Sequence, residues 1–173
     1  PNATFRFPES GGTGSIWREL GNRLPPENIL TERRVIEIDP SHKTVKCQNG
    51  EVFGYGKLIS SIPLTTTLRS LTSHRDLKSA ATSFKWSSTH IVGIGIEGTV
   101  PEILKSKCWI YFPEEAVPFY RATVFSNYAP SNVPHPGKQW SLMCEISESP
   151  MKPVDHETVL NDSVEGLMKI GLL

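Results

Sequence analysis

The sequence predicts an α+β protein made of two lobes. Apolar residues alternate with a period of two in several stretches, which is typical of half-buried antiparallel strands. Two other segments repeat apolar residues at helical spacing. The predicted strands become longer after Trp86, so we expect a lobe of short strands over residues 1–82 and an antiparallel sheet with flanking helices over residues 83–173.

The first lobe is expected to open with a short amphipathic helix. The glycine-rich loop 11–14 leads into Ser15, a residue type suited to cap a helix, and Pro25 would end that helix. Short strands follow, and the pair Asn49-Gly50 predicts a tight hairpin between two of them. The predicted strands cover 35–38, 45–47, 52–53 and 57–62, and the segment 64–81 suits one or two helices.

The second lobe is expected to contain four strands and a final helix capped by Asp155. Gly93, Gly95 and Gly98 match the G-x-G-x-x-G pattern of a dinucleotide-binding turn. Pro101 stands where a following helix would have to begin, so we interpret these glycines as part of a strand that a ligand or another backbone can approach closely. The four strands are predicted at 89–98, 108–112, 119–125 and 139–146.

Composition excludes several classes of function. The 18 Lys and Arg residues balance 18 Asp and Glu residues, which argues against binding to nucleic acid or to an anionic membrane. The three cysteines lie far apart, which argues against a disulfide framework and favours a cytoplasmic protein. No spacing typical of metal ligands and no G-x-S-x-G motif is present, so we predict no metal site and no catalytic nucleophile.

The most informative stretch is aromatic and surrounds one arginine. Trp109 and Tyr111 share one face of a predicted strand because successive side chains alternate. Arg121 lies in the middle of the next strand among apolar neighbours, where a guanidinium is costly to bury unless an anion meets it. That anion is either a protein carboxylate or a ligand phosphate, and the sequence leaves both alternatives open.

Six motifs, spread over nearly the whole chain, carry a resemblance to a known family. They are 2–8, 11–17, 87–90, 108–114, 119–128 and 147–153. In this collinear order they resemble the eukaryotic, especially fungal, UDP-galactopyranose mutases. The resemblance implies a flavoenzyme that interconverts UDP-galactopyranose and UDP-galactofuranose through an adduct between the sugar and N5 of reduced FAD. It also implies that 1–82 is a returning segment of the FAD-binding domain and that 83–173 is the substrate-binding lobe.

The resemblance also assigns roles to individual residues. Arg121 matches the family's diphosphate-binding arginine, and Tyr128 matches a tyrosine whose hydroxyl meets the same diphosphate. Trp109 and Tyr111 match aromatic residues of the substrate pocket. The two remaining matches are Asn2, near a pocket asparagine, and Val35, which is expected to lie against the adenine of FAD.

The chain also departs from the family, because it lacks the N-terminal dinucleotide fold with its glycine fingerprint. We therefore expect it to be a middle segment that is inactive by itself and lacks most of the FAD site, unless the remainder of the flavoenzyme or a second copy supplies the missing parts. Two alternatives stay open. One is an FAD oxidoreductase of the amine-oxidase type, and the other is a non-catalytic module that binds nucleotide sugars.

Overall fold

A computed structural model describes residues 5–173 and divides them into two compact units. One unit is Leu24–Trp86, and the other joins residues 5–23 to Ser87–Leu173. Each unit combines helices with an antiparallel sheet, so the predicted α+β class is confirmed. The assignment of 1–82 and 83–173 to flavin and substrate lobes stays a prediction.

The grouping of residues 5–23 with the second half has a simple physical basis. The hydroxyl of Ser131 donates to the backbone carbonyl of Glu9 at 2.6 Å. The ring of Phe7 meets that of Phe125 edge to face, with centroids 6.1 Å apart. These contacts join segments that lie more than a hundred residues apart in sequence, which local periodicity does not reveal.

The unit Leu24–Trp86 contains a three-stranded meander and two short helices. Strands β1 (Val35–Asp39), β2 (Thr44–Cys47) and β3 (Val52–Gly54) pair antiparallel in sequence order, as predicted. Gly50 has a φ of 90° in the turn between β2 and β3, a conformation that glycine adopts without strain. The helices are α2 (Leu64–Ser70) and α3 (Arg75–Ala80).

The strand predicted at 57–62 is wrong, because the structure gives this segment no strand. A strand needs a neighbour for its backbone hydrogen bonds. The free edge of β1 is instead used by the segment that follows α2, where the Thr72 amide donates to the Ile38 carbonyl at 2.9 Å. Ile59 is consequently left almost fully exposed in this unit.

The other unit is built on a four-stranded antiparallel sheet. The order of its strands is β4 (Ser88–Glu97), β7 (Gln139–Glu148), β6 (Arg121–Val124) and β5 (Trp109–Tyr111). All four strands lie where the sequence predicts strands, although β5 and β6 are shorter. The central pair is long, since ten residues of β4 match ten of β7 in unbroken register. The helices are α1 (Gly12–Asn22) and α4 (Val159–Lys169).

Both predicted helix caps differ from the observed ones. Helix α1 follows Gly11 in the left-handed conformation, so the helix begins earlier than Ser15. Thr158 precedes α4, whereas the Asp155 carboxylate accepts the amide of Glu157 at 2.9 Å within a turn. In both places several residues that suit the N-terminal cap stand close together, and periodicity alone does not decide at which of them the helix begins.

The core lies on one face of the sheet, beneath α4. Ala122, Val124, Leu142 and Cys144 are buried on this face, and Leu167 of α4 packs with them. Burial raises the pKa of the Cys144 thiol to about 12. The three cysteines are free, and among residues 5–173 no helix is both long enough and apolar enough to cross a membrane.

The core predicts a large difference between two leucines of α4. Leu167→Ala is expected to lower the free energy of unfolding by about 2–5 kcal/mol, because it leaves a cavity in a closely packed core. Leu160→Ala, the matched control on the same helix, changes an exposed residue and should cost less than about 0.5 kcal/mol. Denaturant titrations of both variants check this, and equal losses would contradict the described core.

Candidate functional site

The candidate site lies on the face of the four-stranded sheet that points away from the core. Tyr111, Arg121 and Glu145 are direct cross-strand neighbours on β5, β6 and β7. Side chains alternate between the two faces along each strand, so these three residues share one face while Ala122 and Cys144 face the core. The register of the sheet therefore brings a cation, a carboxylate and a phenol together.

Glu145 holds Arg121 in a bidentate ion pair. The Nε of Arg121 donates to Oε1 at 2.8 Å, and its Nη2 donates to Oε2 at 2.7 Å. The hydroxyl of Tyr120 also donates to Oε2, at 2.7 Å. The Glu145 side chain is only 7% exposed, so the pair is largely withdrawn from water. A protein carboxylate is thus one anion that meets Arg121, as the first of the two alternatives predicted.

The guanidinium has a second edge that Glu145 does not occupy. On that edge Nη1 donates to the hydroxyl of Tyr111 at 3.3 Å. The central carbon of Arg121 lies 5.7 Å from the centre of the Tyr111 ring and 5.9 Å from that of Trp109. Burial by itself would lower the pKa of Arg121, but hydrogen bonds with Tyr111 and Glu145 and the charge of Glu145 raise it overall. The group is a permanent cation with aromatic walls.

Tyr128 and Trp109 form the neighbouring part of the site. The indole N–H of Trp109 donates to the hydroxyl oxygen of Tyr128. Phe5 stacks on Trp109 with ring centroids 5.2 Å apart, and Phe7 packs against Tyr128 at 5.0 Å. Burial raises the pKa of Tyr128, so its hydroxyl stays protonated at neutral pH. Because that oxygen accepts from Trp109, its hydrogen can be donated to a ligand.

The two glycines inside β4 leave room on the same face. Gly93 and Gly95 lie in a regular strand, which confirms the strand interpretation of the G-x-G-x-x-G pattern. A Cβ built at either position would meet no atom within 4 Å. A groove on this face is lined by Gly93, Gly95, Met143 and Pro134. Ile91, the residue that pairs with Glu145 across the sheet, also lines it.

The structure brings four of the predicted site residues into one cluster. These are Arg121, Tyr111, Trp109 and Tyr128, which are connected by the hydrogen bonds and ring contacts described above. Asn2 lies outside the described residues. Val35 is half-buried at the start of β1, in the other unit. The binding roles of all six residues stay predictions.

Sequence reasoning missed the residue that orients the cluster. Glu145 is a charged residue within β7 between buried neighbours, and the argument that singled out Arg121 applies to it equally. Tyr120 was likewise overlooked, although it precedes Arg121. The signal was present in both strands, but only the register of β6 against β7 shows that Glu145 stands opposite Arg121.

A solved structure shares the fold of this chain. Over its full length the chain matches part of a reduced UDP-galactopyranose mutase, with a TM-score of 0.94 and 45% identical residues. The chain is similar to a segment of a UDP-galactopyranose mutase. The match covers 38% of that mutase chain, so our chain spans less than half of its length. The predicted resemblance is confirmed, and the fungal type stays a prediction.

A second solved structure shares the fold more distantly. The PF1083 protein from Pyrococcus furiosus matches 92% of this chain and 40% of its own, with a TM-score of 0.71 and 20% identity. At that identity the match concerns the fold alone. No protein-family model matches the chain.

The ion pair of this mutase-like segment predicts a stability effect at Glu145. Glu145→Gln is expected to lower the free energy of unfolding by about 1–3 kcal/mol, because the half-buried Arg121 loses its counter-charge and one acceptor. Glu19→Gln is the matched control, since Glu19 pairs with Arg23 at 3.2 Å with both side chains largely exposed. That control should cost less than about 0.5 kcal/mol. Equal losses in urea titrations would argue against a dry pair at Glu145.

Proposed function

We propose that this chain is the substrate-binding segment of a flavin-dependent mutase that interconverts UDP-galactopyranose and UDP-galactofuranose. The observation that carries the proposal is the similarity to a UDP-galactopyranose mutase over the whole chain. The site geometry supports it, because a permanent cation between aromatic side chains suits a nucleoside diphosphate sugar, which carries both negative charge and ring faces.

Arg121 is the group that we propose for the diphosphate. A guanidinium offers two edges for bidentate hydrogen bonding, and Glu145 occupies only the edge formed by Nε and Nη2. The outer edge can therefore take phosphate oxygens while the inner edge stays paired. A ligand phosphate, the second anion that the sequence allowed for Arg121, can thus bind while the carboxylate of Glu145 stays in place. Glu145 acts by fixing the plane of the fork, and such preorganisation lowers the entropy lost on binding.

The aromatic residues would position the remaining parts of the ligand. Tyr128 can donate its hydroxyl hydrogen to a phosphate oxygen, since its oxygen already accepts from Trp109. Tyr111 contacts the outer edge of Arg121 and is mostly exposed, so its ring is available to a ligand bound there. Trp109 is held by Phe5, and that contact keeps its ring in place at little further cost in entropy.

FAD is the cofactor that we propose for the whole enzyme, where its reduced form supplies the nucleophile that attacks the sugar. In the unit Leu24–Trp86 a groove is lined by Val35, Ile38 and Val45 on one side and by the segment 58–62 on the other. The exposed Arg34 also lines this groove. An apolar slot beside a cation fits an adenine ring with a neighbouring phosphate, so Val35 would contact the adenine.

Activity is tested on a polypeptide that joins this chain to the remaining parts of the enzyme. We expect the reduced protein to convert UDP-galactofuranose to UDP-galactopyranose without consumption of oxygen. Chromatography of the two nucleotide sugars measures the conversion. Oxygen uptake in proportion to substrate would instead support an oxidoreductase of the amine-oxidase type. Equilibrium dialysis of the isolated chain completes the test, because UDP binding without any flavin-dependent activity of the joined protein would indicate a non-catalytic module.

If Arg121 is a clamp that holds the diphosphate, a conservative substitution at this position should weaken UDP binding and leave the fold intact. Arg121→Lys is expected to weaken UDP binding more than tenfold, since lysine cannot form a bidentate fork and each charge-assisted hydrogen bond is worth about 1.5–3 kcal/mol. Isothermal titration with UDP measures the affinity, and the thermal midpoint of the same sample reports the fold. Arg23→Lys, at the exposed residue that follows helix α1, is the control and should change neither quantity.

The outcome distinguishes a ligand clamp from a purely structural ion pair. A clamp loses UDP affinity in molecules that are still folded. A structural pair loses thermal stability while the affinity of each folded molecule stays the same. An unchanged affinity for UDP in Arg121→Lys would therefore remove Arg121 from the proposed site.

A further inference from the structure

A second cluster of polar side chains lies at one end of the four-stranded sheet. It consists of His90 on β4, Glu148 at the end of β7 and His156 in the turn before α4. Glu148 stands opposite Ser88 in the ladder, two residues from His90 on the same strand face. This face is the one that carries the core, whereas Arg121 and Glu145 lie on the opposite face. The cluster is therefore independent of the proposed function.

The three side chains converge through their ligating atoms. The Nε2 of His90 lies 2.8 Å from Oε2 of Glu148, and the Nε2 of His156 lies 3.3 Å from Oε1. The three ligand atoms all lie within 4.8 Å of one another. The two imidazole rings meet edge to face with centroids 4.7 Å apart. Each carboxylate oxygen of Glu148 thus faces the Nε2 atom of one histidine.

We propose that His90, Glu148 and His156 bind one divalent transition-metal ion of the Zn²⁺ type. Two imidazole nitrogens and one carboxylate form a donor set that zinc accepts, with water in the fourth position. The nitrogen donors disfavour Mg²⁺ and Ca²⁺, which take oxygen ligands. On binding, each neutral histidine frees its Nε2 for the metal by moving its ring proton to Nδ1. A histidine that carries two ring protons releases one of them to solvent.

The distances require only a small closure of the cluster. Ligand atoms about 2.0–2.1 Å from a tetrahedral zinc lie roughly 3.3 Å apart. A separation at the 4.8 Å limit must therefore shrink by about 1.5 Å. His156 can supply this movement, because its side chain is 66% exposed and it lies outside any helix or strand. Glu148 is more rigidly held, since the Ser88 hydroxyl donates to its Oε2 at 3.1 Å. Such a neighbour orients a metal-binding carboxylate.

Bound metal would have a structural consequence. His90 and Glu148 belong to the sheet, whereas His156 belongs to the segment that leads into α4. An ion held by all three would fasten the beginning of α4 to the end of the sheet. A ligand that binds only the folded state stabilises it in proportion to its concentration above the dissociation constant, so Zn²⁺ should raise the thermal midpoint.

Titration of the untagged chain with Zn²⁺ and Co²⁺ tests the proposal. We expect one equivalent to bind in calorimetry, and Co²⁺ to give the visible absorption of a tetrahedral site without a thiolate charge-transfer band. His156→Ala should weaken binding at least tenfold, since one of three ligands is lost, and Glu148→Gln should do the same. The exposed position of His156 makes a folded variant secure, and circular dichroism checks it.

A matched control is available in the other unit. The Nδ1 of His42 lies 2.8 Å from Oδ2 of Asp39, so it forms a comparable pair of histidine and carboxylate without a second histidine. His42→Ala should leave the affinity for Zn²⁺ and the Co²⁺ spectrum unchanged. The proposal is overturned if the wild-type chain binds no stoichiometric metal, if folded His156→Ala binds as tightly as the wild type, or if His42→Ala causes the same loss.

Discussion

The ion pair between Arg121 and Glu145 is the interaction on which the candidate site depends. Both residues lie within a sheet, where an unmatched charge is costly, and each satisfies the other across neighbouring strands. The bidentate geometry fixes the plane of the guanidinium and leaves one edge for other partners. Tyr120, the residue before β6, adds a third donor to the carboxylate.

Core and site are two faces of the same strands. Ala122 follows Arg121 in sequence and Cys144 precedes Glu145, and both are fully buried beneath α4. A shift of one residue in the pairing of β6 with β7 would turn Arg121 towards Leu167 and the core. The hydrophobic burial that fixes the register therefore also fixes where the cation and its aromatic neighbours stand. The stability of the sheet and the geometry of the candidate site depend on the same strand pairing.

Much of the fold followed from local patterns, and the exceptions have identifiable causes. Period-two alternation located seven strands, and Asn49-Gly50 located a hairpin, because both signals act between residues close in sequence. The segment 57–62 has the same apolar character but no strand beside it, since Thr72 occupies the edge of β1. The N-terminal caps of α1 and α4 differ from the predicted ones because each helix could begin at any of several neighbouring residues.

The sequence by itself determined the fold class, the resemblance to the UDP-galactopyranose mutases and the cluster of aromatic residues around Arg121. These depend on residue types and spacing, which are local and visible in one chain. Only the tertiary structure decided that Glu145 is the partner of Arg121, that Phe5 supports Trp109, and that His90, Glu148 and His156 meet. Each of these contacts joins residues more than twenty positions apart except that of Glu148 with His156. Strand register and chain return, rather than spacing, bring them together.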